Sequence, residues 1–296
     1  MRLALHLTLA TVAVAIAMPV IAQEDDEFEG IDEIIVTSRK REQDVFDVPA
    51  AVSVITGLEL EAAGAISMDD IAELVPTLLV TGGSQKEQGG NFYIRGVGTN
   101  VFSAGVEPSV STVIDGVVLA RQDQFFFDLA DIARVEVLKG PQGTLFGKNA
   151  SAGLINITTL GPTEEFEARG EARYSHDEDA LLLKGSVSGP IAEGLSFRLN
   201  GVYRELDGHI DNLFSGRDLN GGDSWGLRAK VLWEPSEDFR VLLAADYWKA
   251  DSRCCAVTLR SVVNVGLATL TVPPLDPSPG NRRANIDFEP FNERKS

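Results

Sequence analysis

The chain has 296 residues and carries 44 acidic against 26 basic side chains, a formal charge of −18. An excess of that sign excludes nucleic acid as a partner, because phosphates call for basic surfaces. Beyond the first residues no stretch reaches the roughly 18 apolar residues of a spanning helix, so any membrane role falls to strands.

Residues 1–22 open with Met1-Arg2, continue as an apolar run too short to span a bilayer, and give way at once to acid. This is the pattern of a secretory signal peptide, which takes the mature chain out of the cytoplasm. Residues 23–47 read as an acidic flexible arm: seven of the ten positions 24–33 are Asp or Glu, a composition that cannot bury apolar surface. Inside the arm, Ile34, Ile35, Val36 and Thr37 make a lone β-prone run before the basic Arg39-Lys40-Arg41. A strand with no evident neighbour suits addition to the sheet edge of another protein. The alternative is a first strand paired at home.

Residues 48–162 read as one compact α+β unit, long enough for a single core. Positions 52–56 predict a strand, and 57–63 a helical turn ended by Gly64. Ser67 caps a second helix over 68–74, with Met68, Ile71, Leu74 and Val75 on one face and Pro76 as the stop. Strands are expected over 77–81, 92–97, 110–115 and 117–120, with Asp115-Gly116 as a hairpin turn. Residues 132–159, IARVEVLKGPQGTLFGKNASAGLINITT, hold two further strands, 134–139 and 154–159, around a loop rich in Gly and Pro.

That loop is not a nucleotide site. A phosphate-binding loop needs Gly, four residues, then Gly-Lys-Ser/Thr; here Asn149 follows Gly147-Lys148, and Gln142 stands where the first glycine belongs. A dinucleotide fingerprint fails as well, since Gly96-Val97-Gly98 is followed by Thr99, Asn100 and Val101.

From residue 163 to 296 the texture changes to strict alternation. In 195–204, Leu195, Phe197, Leu199 and Tyr203 alternate with Ser196, Arg198, Asn200 and Arg204. In 225–233, Trp225, Leu227, Ala229, Val231 and Trp233 alternate with Arg228 and Lys230, and 239–247 repeats the pattern from Phe239 to Tyr247. Residues 168–174 and 181–189 are weaker members of the series. One greasy and one charged face fits the half-buried sheets of a soluble sandwich. Segment lengths near 9 to 11 residues, with aromatics at the ends, favour strands that cross a membrane. The link 234–238 is then a periplasmic turn, and 207–223 an outer loop.

No nucleophile motif, metal cluster or cofactor signature is present, so no catalytic role, metal or cofactor is expected. His176 and His209 read as solvated loop residues. The adjacent Cys254 and Cys255 have Cα atoms about 3.8 Å apart, closer than the roughly 4.4 Å an unstrained bridge wants. A loop pair without chemical role, or pairing with another part of the protein, ranks ahead of a strained local disulfide, and a metal site last.

The stretch 132–159, with IRGVGTN (94–100) and VIDGVVLAR (113–121), closely resembles the plug domain of TonB-dependent outer-membrane receptors. The resemblance implies an α+β plug domain followed by antiparallel transmembrane β-barrel strands, lying in the outer membrane of a Gram-negative bacterium. It implies uptake of a scarce nutrient, foremost a ferric siderophore, with TonB and the outer-membrane lipid as partners. It makes Asp32, Glu33, Ile34, Ile35, Val36, Thr37 and Ser38 the TonB box, and Arg95 and Arg134 the plug arginines that meet two barrel glutamates in a buried cluster. Ligand contacts would fall in the plug loops 82–90 and 100–108. Such receptors close about 22 strands. Only five good strands are legible after residue 162, with a sixth candidate in 261–272, so the sequence reads as the N-terminal part of a receptor with an incomplete barrel. The competing reading is a secreted β-sandwich adhesion or carbohydrate-binding protein.

Overall fold

The computed structural model describes residues 35–36, 43–65, 67–81, 90–100, 105–120, 130–176, 179–208, 210–212, 216, 218–252, 283–284 and 292–295. Residues 1–22, expected to be a signal peptide, most of the acidic arm, Cys254 and Cys255, His209 and the candidate strand 261–272 lie outside them.

The α+β unit is built on a mixed five-stranded sheet. Strand β1 (Ile35–Val36) pairs with β2 (Gln43–Asp44), and β3 (Ala51–Thr56) then enters the main sheet. Helices α1 (Gly57–Ala62) and α2 (Met68–Leu74) follow, then β4 (Leu78–Thr81), β5 (Asn91–Ile94), β6 (Val97–Gly98), β7 (Val110–Ile114) and β8 (Val117–Val118). Strand β9 (Ile132–Lys139), the short helix α3 (Gly143–Phe146) and β10 (Gly153–Thr159) complete the unit. The main sheet has the order β3-β9-β10-β7-β8, in which only the β10–β7 pairing is parallel. The two strands of the 132–159 stretch are thus neighbours in an antiparallel pair, as their sequence implies.

Strand β9 is central, and both its faces are covered. Val135 and Val137 join Ile55, Ile155, Ile157, Ile71, Phe92 and Ile94 in the larger core. Leu138 points the other way, to Val113, Leu154, Phe146 and Ala150. Burial on both faces replaces alternation along 135–138, where Val135, Val137 and Leu138 are buried together with the carboxylate of Glu136. Helix α1 is fixed by a reciprocal capping box: the Glu59 amide donates to the Thr56 hydroxyl at 3.2 Å, and the Thr56 amide donates to the Glu59 carboxylate at 2.7 Å. At α2 the Ser67 amide and hydroxyl both donate to Asp70, at 2.8 and 2.9 Å.

Two local expectations are corrected. Leu74 is 41% exposed while Met68, Ile71 and Val75 are buried. The helix ends at Leu74, and Val75 turns inward in an extended conformation instead of continuing the apolar face. The single strand expected over 92–97 is broken by a tight turn, because Arg95 and Gly96 both have positive φ, 54° and 78°.

The alternating region forms a second sheet from β11 (Glu167–Ser175), β12 (Ala180–Ala192), β13 (Leu195–Leu206), β16 (Gly222–Ser236) and β17 (Phe239–Ser252). The loop after β13 holds two short strands, β14 (Ile210–Asn212) and β15 (Asp218–Leu219); β14 also pairs with β18 (Arg283–Ala284). The large sheet runs β11-β12-β13-β16-β17-β19, all antiparallel, with β19 (Asn292–Lys295) as its sixth strand. All five expected strands are present, each longer than the sequence pattern alone suggests. Strand β19 has no apolar alternation to betray it.

Candidate functional site

The polarity of the second sheet is inverted relative to a soluble sandwich. On β13 and β16 the even positions Arg198, Asn200, Arg228 and Lys230 are buried. The odd positions Leu199, Leu227 and Trp233 are nearly half exposed, and on β17 Leu243 is 66% exposed. A soluble protein hides its apolar face; here charge faces the protein and hydrocarbon faces out, as in a membrane barrel with a polar lumen. The aromatic residues on the outer face form two rows. Trp225 lies 5.1 Å from Tyr247 near one end of the strands, and Trp233 lies 5.5 Å from Phe239 in an edge-on arrangement near the other. Eight residues separate the tryptophans, about 26 Å along a strand at ~3.3 Å per residue. At a tilt of about 40° this becomes ~20 Å of height, near the ~25 Å band that such girdles bracket.

The buried polar face meets the α+β unit. The Arg198 guanidinium grips Asp131 with two parallel bonds, Nε to Oδ2 at 2.7 Å and Nη2 to Oδ1 at 2.5 Å, and both side chains are almost wholly buried. Its Nη1 reaches Gly161 O at 3.4 Å and stands 4.0 Å from Glu167. The Lys230 ammonium lies 2.9 Å from Asp115 Oδ2 and donates to the Thr159 hydroxyl and carbonyl. Thr159 in turn donates to Asp115 from its amide at 2.8 Å and its hydroxyl at 2.6 Å. Burial pushes the Asp115 carboxyl up, but the two bonds from Thr159 and the Lys230 ammonium outweigh it and hold the group below its ordinary 3.8. Beside these ties, Ala130 packs with Leu182, Val202 and Trp248 in a small apolar cluster. Gly226 makes room for the indole, since a Cβ there would sit on the Trp248 ring. A cavity of about 380 Å³ lies between α1 and strands β11 to β13, where Arg169, Arg173, Lys184, Glu61 and Glu171 face one another. Arg173 spans it to the Gly64 carbonyl at 3.1 Å.

The residues singled out from sequence lie in separate parts of the α+β unit. Arg95 is exposed on its tight turn, and its amide donates to Thr77 O at 2.8 Å. Arg134 is partly buried, and its Nε donates at 2.8 Å to Glu136 two residues along the same strand; Asn156 also donates to that fully buried carboxylate, at 3.2 Å. Of the 32–38 segment, Ile35 and Val36 are described, and both pair with β2, Ile35 opposite Asp44 and Val36 opposite Gln43. The run expected to lack a neighbour therefore has one at home; Asp32, Glu33, Ile34, Thr37 and Ser38 lie outside the described residues. In the two ligand-loop candidates, 82–89 and 101–104 lie outside as well. Asn91 donates to Asn100 Oδ1 at 3.0 Å, and Lys148 pairs with Glu107 at the described edges. Among the described residues no group of His, Cys, Asp or Glu is arranged to hold a metal ion, and His176 is exposed in the turn after β11.

The family model described as the TonB-dependent Receptor Plug Domain matches residues 44–154. The pesticin receptor of Yersinia pestis is 29% identical over 219 residues, which are 72% of this chain and 31% of that protein. The vitamin B12 transporter BtuB of Vibrio vulnificus is 27% identical over 229 residues, 76% of this chain and 36% of the relative. In fold, the chain is similar to the ferric yersiniabactin uptake receptor FyuA from Yersinia pestis, with a TM-score of 0.68 at 24% identity over 83% of this chain and 37% of that one. The chain spans about a third of the length of these relatives. The relatives are receptors and transporters rather than enzymes. Residues 44–154 thus match the TonB-dependent receptor plug domain, and over most of its length the chain is similar in sequence and in its plug-and-barrel fold to these receptors and transporters.

Proposed function

We propose that the protein is a transporter that takes up a scarce nutrient across the outer membrane with energy delivered by TonB, its cargo being a ferric siderophore or similar iron chelate. The inverted polarity of the β11–β17 sheet around a seated plug carries this reading, since a plug has a purpose only in a barrel that conducts. The iron-chelate assignment draws support from relatives whose names mention hemin, iron regulation and ferric yersiniabactin. A cobalamin cargo is the second reading, favoured by the vitamin B12 transporter among the relatives.

Residues 32–38 are the segment TonB would hold. In the structure Ile35 and Val36 already bond β2, so TonB either displaces β2 or adds to the opposite edge of β1. Residues 1–22 act as the export signal in this reading. Fractionation tests the location: the mature protein is expected in the outer membrane and to require detergent for release. Recovery from the periplasm or medium without detergent overturns the proposal and restores the secreted sandwich. Uptake of radioactive iron as a panel of ferric chelates, against labelled cobalamin, in cells with and without TonB tests the cargo.

A further inference from the structure

Among the described residues the inner face of the barrel wall carries three buried cations on two adjacent strands, Arg198 on β13 and Arg228 and Lys230 on β16. Arg228 finds its carboxylate within the wall, on Asp246 of the next strand at 2.5 Å. Arg198 and Lys230 do not share that arrangement. They stand directly opposite each other in the antiparallel register, both at 4% side-chain exposure or less, and their close carboxylates, Asp131 and Asp115, belong to the plug. Like charges in facing positions repel, and a buried cation without a counterion is strongly destabilising. Among the described residues the wall offers this pair only the half-exposed Glu167 of β11, 4.0 Å from Arg198, and the closely bonded carboxylates come from the plug.

The plug is shaped to supply them. Asp115 and Asp131 both have positive φ, 46° and 60°, and are two of five non-glycine residues with that backbone among those described. Such a conformation is unfavourable for L-residues and persists where the surroundings impose it. Asp115 sits in the turn after β7, and Asp131 directly before β9. Further bonds tie both to the end of β10 and the exit of the chain toward the wall: Asp115 through Thr159, and Asp131 through the Leu160 amide, which donates to its carbonyl at 2.9 Å. Carboxylates, strained turns and the covalent crossing from plug to wall therefore coincide at one end of the plug sheet.

We infer that Asp115 and Asp131 with Lys230 and Arg198 form a two-point electrostatic clasp that seats the plug on the barrel wall. The inference rests on the transporter reading above. Its four members are positioning residues; none is assigned to cargo.

The test is a pair of double-mutant cycles in the full-length protein, read as the rate of tryptic cleavage within the plug in isolated outer membranes. Asp131→Asn and Asp115→Asn each leave a buried wall cation without its closely bonded carboxylate, and each is expected to raise the cleavage rate about tenfold. Arg198→Gln joined to the first, and Lys230→Met joined to the second, remove the surplus charge and are expected to return the rate to within about threefold of the native value. Double variants whose rates equal the product of the singles overturn the clasp. Where a single aspartate variant fails to assemble, the matching double variant decides: assembly with a protected plug supports the inference, and failure to assemble overturns it. A native protein absent from the outer membrane refutes the transporter reading, whereas a native protein in place with additive variants refutes the clasp alone.

Discussion

Replacing Leu199 by Arg separates a lipid-facing wall from a water-facing sheet. Leu199 lies near the middle of β13 on the outward face, 48% exposed, opposite Val187 on one side and Ala229 on the other. If that face meets water, the substitution at a half-exposed position changes stability by no more than about 0.5 kcal/mol. If it meets the hydrocarbon between the two aromatic rows, an Arg near the bilayer midplane costs about 2 to 4 kcal/mol. At about 1.4 kcal/mol per tenfold change, that is a loss of roughly 30-fold to nearly 1,000-fold in the folded-to-unfolded ratio. Urea titration of the protein reconstituted in phospholipid vesicles measures the difference. An Arg variant within about 0.5 kcal/mol of the native protein in lipid refutes the outward assignment of this face.

Three further outcomes follow from other residues. Ile35→Pro removes a backbone donor from β1 and is expected to weaken binding of the TonB C-terminal domain measured by calorimetry; unchanged affinity removes 32–38 as the contact. The carboxyl of Asp115 is held below its ordinary 3.8, so its contribution is fully present above that value and is lost as pH falls through the folded-state value. Protection of the plug from an acid-active protease should fall steeply below pH ~3.8 in the native protein and less in Asp115→Asn; equal profiles contradict the pairing with Lys230. Glu136→Ala leaves Arg134 and Asn156 facing a vacated buried site and should lower unfolding stability by about 2 kcal/mol, discounted for the partial exposure of Arg134; a change below about 0.5 kcal/mol contradicts its role.

The strands of the wall were legible because a period of two is a local signal, carried intact by positions such as 195–204 and 225–233. Which side of the sheet meets lipid was not, since alternation is the same in a sandwich and a barrel; burial of Arg198 and Lys230 decides it. The break at Arg95-Gly96 escaped the strand reading because Arg is an uncommon residue at positive φ. Strand β19, Asn292–Lys295, has no apolar pattern at all and is placed by pairing with β17. The clasp joins residues far apart in sequence: Asp115 reads as a turn residue, and Arg198 and Lys230 as members of a polar face. Only the register that sets Arg198 opposite Lys230 shows two like charges awaiting partners. Arg134 and Glu136 stand two apart on one strand and so on the same face, a spacing from which their pairing is legible in the sequence.

The chain's three tryptophans provide the most direct test of a barrel wall around a plug. Trp225 and Trp233 lie on the outward face, while Trp248 is 2% exposed and packed between wall and plug. In vesicles of brominated phospholipid, the native protein should lose much of its fluorescence, and a Trp225→Phe, Trp233→Phe variant that keeps only Trp248 should be quenched little. Strong quenching of Trp248, or none in the native protein, contradicts a sheet that turns its apolar face to lipid and its charged face to the plug.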